Sequence, residues 1–98
     1  MADLLSSDEL ARRLAELPDW AVVDGKLHRE VVLDDFAAAF AVMTEVAIWA
    51  EKLDHHPEWS NVYNRVTIDL VTHDAGGLTE LDLQLAARVD HAVRTRLG

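Results

Sequence analysis

Apolar and polar residues follow one another along the chain in patterns that predict seven secondary-structure elements. Steps of three or four residues between apolar side chains indicate helices, and steps of two indicate strands. In chain order the predicted elements are a helix over about residues 7–17, strands at 20–23 and 26–32, a helix capped at 34 or 35 and running to 53, strands at 58–63 and 65–72, and a helix capped at 79 and running to the C-terminus. Hairpins joined by helices imply an α+β fold: a four-stranded antiparallel sheet with helices packed on one face, in the order α-β-β-α-β-β-α.

Capping and turn residues set the boundaries of these elements. Asp24-Gly25 readily adopts the positive φ angles of a two-residue hairpin turn, so the first two strands pair through it. Thr79 and Asp82 have the spacing of a helix capping box before the last helix. No repeat, low-complexity tract or linker divides the chain, so residues 1–98 are predicted to form one domain.

The composition and charge exclude several classes of protein. The chain has 98 residues, half of them apolar, and 18 acidic residues against 9 Lys plus Arg give a net charge of −9. Such a charge repels nucleic-acid phosphates and anionic membranes, so neither is expected as a partner. The chain contains no cysteine, which excludes disulfides and thiolate chemistry.

The sequence also suggests where the protein works and in what form. The first residues carry no basic region followed by an apolar run, and no stretch reaches the ~20 apolar residues that span a bilayer. A soluble cytoplasmic protein is therefore expected. Because the core of so small a domain leaves a narrow stability margin, association with further copies of the chain is a common source of support.

Two adjacent histidines, His55 and His56, are the strongest chemical signal in the sequence. Pro57 keeps His56 out of the α region, so the long helix must end before it and both rings leave in a fixed direction. His73 follows the fourth strand, and a helix end and a strand end meet readily at one edge of such a sheet. Imidazole titrates near neutrality, so two or three rings around one cavity can donate and accept protons in the same turnover.

A zinc site is the alternative use of these rings. Adjacent residues of an extended segment project to opposite sides, so His55 and His56 cannot easily bind one ion from that segment alone. A metallohydrolase with His73 as a third ligand stays open, but the spacing matches no HExxH or related motif. No metal or other cofactor is predicted.

Several other residues have simpler interpretations. His28 and His91 sit with no other reactive groups and are interpreted as ordinary surface residues. Trp49 is interpreted as a core residue of the long helix. Trp59, two residues after Pro57, is interpreted either as core or as the wall of a cavity for a flat ring.

The segment from Glu51 to Asp82, EKLDHHPEWSNVYNRVTIDLVTHDAGGLTELD, closely resembles the signature of the pterin-4a-carbinolamine dehydratase family. The agreement extends to LPDW around Trp20 and to the DDFAAAFAVMTEVA helix, so it covers nearly the whole chain. The resemblance implies the same α+β sandwich. It also implies assembly as a homodimer or homotetramer.

The activity implied by the resemblance is the removal of water from 4a-hydroxytetrahydropterin to give quinonoid dihydropterin, without a metal, in tetrahydropterin recycling. His55 and His73 would donate and accept protons, and His56 would chiefly bind the pterin substrate. The other residues implied to shape, orient or cover the site are Glu51, Asp54, Pro57, Trp59 and Asp82, with Trp20 as a lid.

A second hypothesis is a non-catalytic, homo-oligomeric binding or assembly module of the same fold. Some relatives bind a homeodomain transcription factor or act in protein assembly. In this case the sheet edge, or the apolar stripe Leu85-Val89-Val93 of the last helix, would dock the partner. The presence of all three histidines argues for the enzyme.

Overall fold

A computed structural model describes residues 3–97 and places three helices and four strands in the predicted order. The elements are α1 (Ser7–Leu14), β1 (Ala21–Val23), β2 (Lys26–Val32), α2 (Phe36–Leu53), β3 (Glu58–Val62), β4 (Arg65–Leu70) and α3 (Glu80–Leu97), with a short 3-10 helix at His73–Ala75. The predicted order α-β-β-α-β-β-α is therefore confirmed. None of the described helices is long and apolar enough to cross a membrane.

The four strands form one antiparallel sheet, as predicted, and their order in the sheet is β1-β2-β4-β3. In the central pair Leu27 lies opposite Leu70 and Val31 lies opposite Val66, and all four side chains are buried. Successive side chains of a strand point to opposite faces, so this register gives the sheet one apolar face and one polar face. The helices cover the apolar face, and α2 packs against both α3 and β4.

The apolar stripe of α3 faces the interior of its own chain. Leu85 and Val89 are fully buried, and Val93 is 2% exposed. The prediction that this stripe docks a partner is wrong. The apolar face of a four-stranded sheet must be covered by helices, and the remaining surface of α3 is too polar to do so.

Two element boundaries differ from the prediction by more than one residue. Helix α1 ends at Leu14 rather than Leu17, because the residue before Pro18 is restricted to extended conformations and a tight turn forms instead. Strand β4 ends at Leu70, after which Thr72 pairs only with Gly77 in an isolated bridge. The chain thus folds back on itself between β4 and α3.

Candidate active site

The end of α2 directs the two adjacent histidines to opposite sides. Asp54 caps the helix in the left-handed conformation, with φ 51° and ψ 45°, and the His55 N–H bonds to the Ala50 carbonyl at 3.0 Å. A left-handed residue at a helix end reverses the chain, and Asp is among the few residues that tolerate it. His55 therefore turns inward and is only 8% exposed, whereas His56 is exposed.

An open cavity of about 260 Å³ lies where the end of α2 meets the end of β4. The residues that line it are Asp54, His55, His56, Val71, Thr72, His73 and Asp74. Residues from two distant parts of the sequence thus share one cavity, as expected for a helix end and a strand end at one edge of the sheet. We call it the histidine cavity, and His55, His56 and His73 the cavity histidines.

Each cavity histidine is held by its own carboxylate through the same ring nitrogen. The hydrogen bonds join His55 Nε2 to Asp82 Oδ1 at 2.5 Å, His56 Nε2 to Glu51 Oε1 at 2.6 Å, and His73 Nε2 to Glu58 Oε2 at 2.8 Å. An ionised carboxylate can only accept, so in each pair the ring donates from Nε2. In the neutral rings Nδ1 then carries the lone pair and is the nitrogen left for a ligand.

Asp82 is the most firmly held of the three carboxylates. It is fully buried, and its Oδ2 accepts from the Thr72 hydroxyl at 2.8 Å and the Thr79 N–H at 2.9 Å. The bond to the Thr79 backbone confirms Asp82 as a cap of α3. The same side chain also fixes the ring of His55, so the start of α3 determines where that ring lies.

The other two pairs lie at the surface. The side chains of His56 and Glu51 are 57% and 79% exposed, and those of His73 and Glu58 are 72% and 44% exposed. Glu58 also accepts from Lys26 Nζ at 2.5 Å. Lys26 and then His73 lower the pKa of Glu58 below its ordinary value, and Glu58 raises the pKa of Lys26.

The two tryptophans predicted near the site do not line the histidine cavity. Trp20 is 6% exposed, and its Nε1 donates to Asp90 Oδ1 on α3 at 2.8 Å. Trp59 is partly buried and packs against the core. The ring of Trp20 is thus held in the interior, which gives a lid role no support in this chain. Pro57 is partly buried beside His56 and does not line the cavity either.

Sequence reasoning missed four residues of this region. Glu58 accepts from His73, Lys26 donates to Glu58, Thr72 donates to Asp82, and Asp74 lines the cavity. The position of Glu58, a polar residue directly after Pro57, could have indicated a role in the site. Its partners could not be identified, because they depend on the register of the strands.

The described residues offer no obvious metal centre. Within residues 3–97, no group of three or more His, Asp or Glu side chains is placed to hold a metal ion together.

Comparison with known proteins identifies the family. The family model described as pterin 4 alpha carbinolamine dehydratase matches residues 3–92. The chain belongs to this family. The resemblance seen in the segment from Glu51 to Asp82 is thereby confirmed.

Similar proteins match along nearly their whole length. A protein from Solibacter usitatus (strain Ellin6076) named "Putative pterin-4-alpha-carbinolamine dehydratase" is 57% identical over 90 residues, covering 92% of this chain and 95% of that protein. A protein of the same name from Synechococcus sp. (strain WH7803) is 53% identical over 90 residues, covering 92% and 97%. The crystal structure of a transcriptional coactivator/pterin dehydratase from Brucella melitensis has a TM-score of 0.89 at 42% identity, covering 93% of this chain and 99% of that one.

Proposed function

We propose that this protein dehydrates 4a-hydroxytetrahydropterin to quinonoid dihydropterin by general acid–base catalysis in the histidine cavity. The observation that carries the proposal is the meeting of His55, His56 and His73 at one cavity. Membership of the family and the names of the similar proteins support the same reaction. Tetrahydropterin recycling in the cytoplasm is the proposed setting.

The reaction needs one proton donor and one proton acceptor. The C4a hydroxyl takes a proton, the C4a–O bond breaks, and water leaves. The neighbouring N5–H gives its proton to a base while its electron pair forms the C4a=N5 double bond. One proton is given and one is received, so the total protonation of the enzyme is unchanged. The acid and the base return to their starting forms by exchanging protons with water before the next turnover. Imidazoles suit both steps because they titrate near neutrality.

His55 and His73 are proposed as the acid–base pair, and His56 as the ring that chiefly binds the pterin. His55 is held from behind by the buried Asp82, so its free Nδ1 points in a fixed direction. Glu51 orients His56 in the same way. Asp54 lines the cavity and is proposed to contact the substrate, while Pro57 fixes the chain beside it.

Replacing His55 or His73 with Ala tests this function. General acid–base catalysis contributes ~10²–10⁴-fold, so each variant should lose catalysed dehydration by about that factor. The quinonoid absorbance reports the rate after subtraction of the uncatalysed reaction, with and without a chelator. His91→Ala is the matched control, because His91 is an exposed histidine of α3 outside the cavity. Unchanged rates in H55A and H73A, with circular dichroism intact, would refute the proposal.

The exposed face of α2 favours a second candidate function, a homo-oligomeric binding module. Phe36, Phe40 and Ile48 on α2 are 49%, 56% and 54% exposed. Beside them lies a groove of about 390 Å³ between α2 and α3, lined by Ala41, Thr44, Glu45, Ile48 and Arg96. We propose that a second copy of the chain covers this face. Failure to bind or dehydrate the pterin, with self-association retained, would favour this function over the enzyme.

A further inference from the structure

We infer that Glu58, itself held by Lys26, is a positioning residue that fixes the ring of His73 with Nδ1 toward the pterin. The inference rests on the proposed function and extends it to two residues outside the cavity wall. Neither Glu58 nor Lys26 lines the histidine cavity, so both would act through His73.

The Glu58 carboxylate bridges two side chains from different elements. Its Oε1 accepts from Lys26 Nζ on β2 at 2.5 Å, and its Oε2 accepts from Nε2 of His73, at the start of the 3-10 helix, at 2.8 Å. Strands β2 and β3 are not neighbours, because β4 lies between them. The ion pair therefore spans the polar face of β4 and ends at the edge of the cavity.

The two oxygens of Glu58 have separate partners, and the direction of each hydrogen bond is determined. Lysine has donors only, so Oε1 must accept from it. The hydrogen bond from Lys26, and after it the bond from His73, lowers the pKa of Glu58, so the carboxylate stays ionised near neutral pH. An ionised Oε2 can only accept, which requires His73 to donate from Nε2 and to keep its lone pair on Nδ1.

His73 needs such support more than His55 does. Its side chain is 72% exposed, whereas His55 is buried against Asp82. Among the described residues, Glu58 makes the one hydrogen bond to the His73 ring. Without Glu58 the ring would be free to rotate and to exchange tautomers in solvent.

The variant Glu58→Gln gives the sharpest test. Lys26 would take the amide oxygen, leaving the NH₂ group to donate to His73 Nε2, so the ring proton would move to Nδ1. The neutral His73 ring would then present a donor at Nδ1 and could no longer accept a proton at that atom. We expect kcat to fall about 10- to 100-fold, by analogy with the range seen when the outer partner of a metal-binding imidazole is changed, with KM nearly unchanged.

A second variant separates this mechanism from a structural effect. In the double variant Lys26→Met, Glu58→Gln the amide is free to rotate and to offer its oxygen to Nε2 of His73. We therefore expect the double variant to be more active than E58Q alone. Lys26→Met alone keeps the Glu58 carboxylate as the acceptor for Nε2 of His73, so it should lose less activity than E58Q. A role in stability alone would make the double variant no better than E58Q.

Nitrogen-15 spectra of the histidine rings give a readout that does not depend on activity. The neutral His73 ring should carry its proton on Nε2 in the unmodified protein, on Nδ1 in E58Q, and again on Nε2 in the double variant. Glu30→Gln is the control, because Glu30 is an exposed carboxylate near Arg65 that contacts no histidine. It should leave the spectrum and the kinetics unchanged.

The outcomes distinguish this inference from the proposed function. An unmodified protein that does not dehydrate the pterin would refute the proposed function. The positioning role alone would be overturned if E58Q kept the kcat and the His73 tautomer of the unmodified protein while the H73A variant was inactive. A double variant no more active than E58Q would overturn it too.

Discussion

At Asp82 one buried carboxylate meets two requirements of the fold and the site. Its Oδ2 satisfies the Thr79 N–H at the start of α3, and its Oδ1 holds the ring of His55. Buried polar groups must be paired, and the Thr79 N–H and Nε2 of His55 would lose this partner if the carboxylate were removed. The residue is thus needed for stability and for the orientation of His55.

The variant Asp82→Asn should separate these two needs. Its oxygen must stay with the Thr79 N–H, so its NH₂ group would face Nε2 of His55 and move the ring proton to Nδ1. We expect a loss of about 0.5–1.5 kcal/mol in the free energy of unfolding, measured with urea, and a rate loss of ~10²–10⁴-fold. Asp82→Ala should lose about 1–3 kcal/mol, since buried donors stay unpaired. Full activity in D82N would contradict the orienting role.

Residue identity alone predicted part of the site. His55 and His56 could be found because two titratable rings stand together before a proline, and Asp82 could be found as a cap. Glu58 and Lys26 could not be paired, because 32 residues separate them and their contact depends on the order and register of three strands. Trp20 was expected over the cavity, but its indole instead binds Asp90 in the interior.

On the scale of elements, a charged pair joins α1 to the first turn of α3. Arg13 donates to both oxygens of Glu80, at 2.7 and 3.0 Å. Because α1 buries none of its residues completely, such side-chain contacts help to hold it against the rest of the chain. The Arg13 guanidinium lowers the pKa of Glu80 below its ordinary value of 4.5, against the opposing effect of partial burial.

The stabilisation from this pair should depend on pH. A carboxyl whose pKa is lowered by folding stabilises the protein above its unfolded pKa, and this contribution is lost as the pH falls through the folded pKa. The side chains are 38% and 46% exposed, so Glu80→Gln should cost only about 0.2–1 kcal/mol near pH 7. Urea unfolding should show the difference between E80Q and the unmodified protein shrinking as the pH falls below 4.5.

The control for this prediction is Glu30→Gln, since Glu30 lies 3.9 Å from Arg65 in a looser, exposed pair. The free energy of unfolding of E30Q should differ little from that of the unmodified protein at any pH. A cost of E80Q that persists undiminished in acid would mean that the contact between α1 and α3 does not depend on the charge of Glu80.

Element types were predicted more reliably than element ends and faces. The alternation in β4 and the helical spacing in α2 identify both elements without knowledge of their neighbours. The end of β4 depended on the pairing of Thr72 with Gly77, and the inward face of α3 depended on which layer covered the sheet. Both features depend on tertiary contacts, which a local sequence pattern does not contain.

On the scale of the whole molecule, the buried apolar side chains form one interior, and three large apolar side chains of α2 are exposed. The sheet, α3 and one face of α2 enclose the core, while Phe36, Phe40 and Ile48 extend outward from α2. An exposed apolar patch on a small protein commonly marks an interface, and an interface between two copies uses the same patch on both.

The variant Phe40→Glu should dissociate the proposed oligomer without unfolding the chain, because a carboxylate would be buried in the contact. Sedimentation velocity should show a smaller species, and circular dichroism should stay unchanged since Phe40 is 56% exposed. Val62→Glu, on the edge strand β3, is the comparison. If V62E dissociates the protein and F40E does not, the sheet edge is the interface. A monomeric unmodified protein would contradict self-association itself.

The loop from 71 to 79 has a fixed length for a chemical reason. Gly76 takes a φ of 78° and the Thr72 N–H bonds to the Gly77 carbonyl at 2.9 Å, so the loop makes a tight return from β4 to α3. Exposed loops usually accept insertions. One residue added before α3 in a helical conformation would rotate Asp82 by about 100° and shift it by about 1.5 Å along the axis. The loop therefore acts as a spacer that keeps an acid and an imidazole from distant segments in register, so its length is constrained as well as the identities of Thr72 and His73 within it.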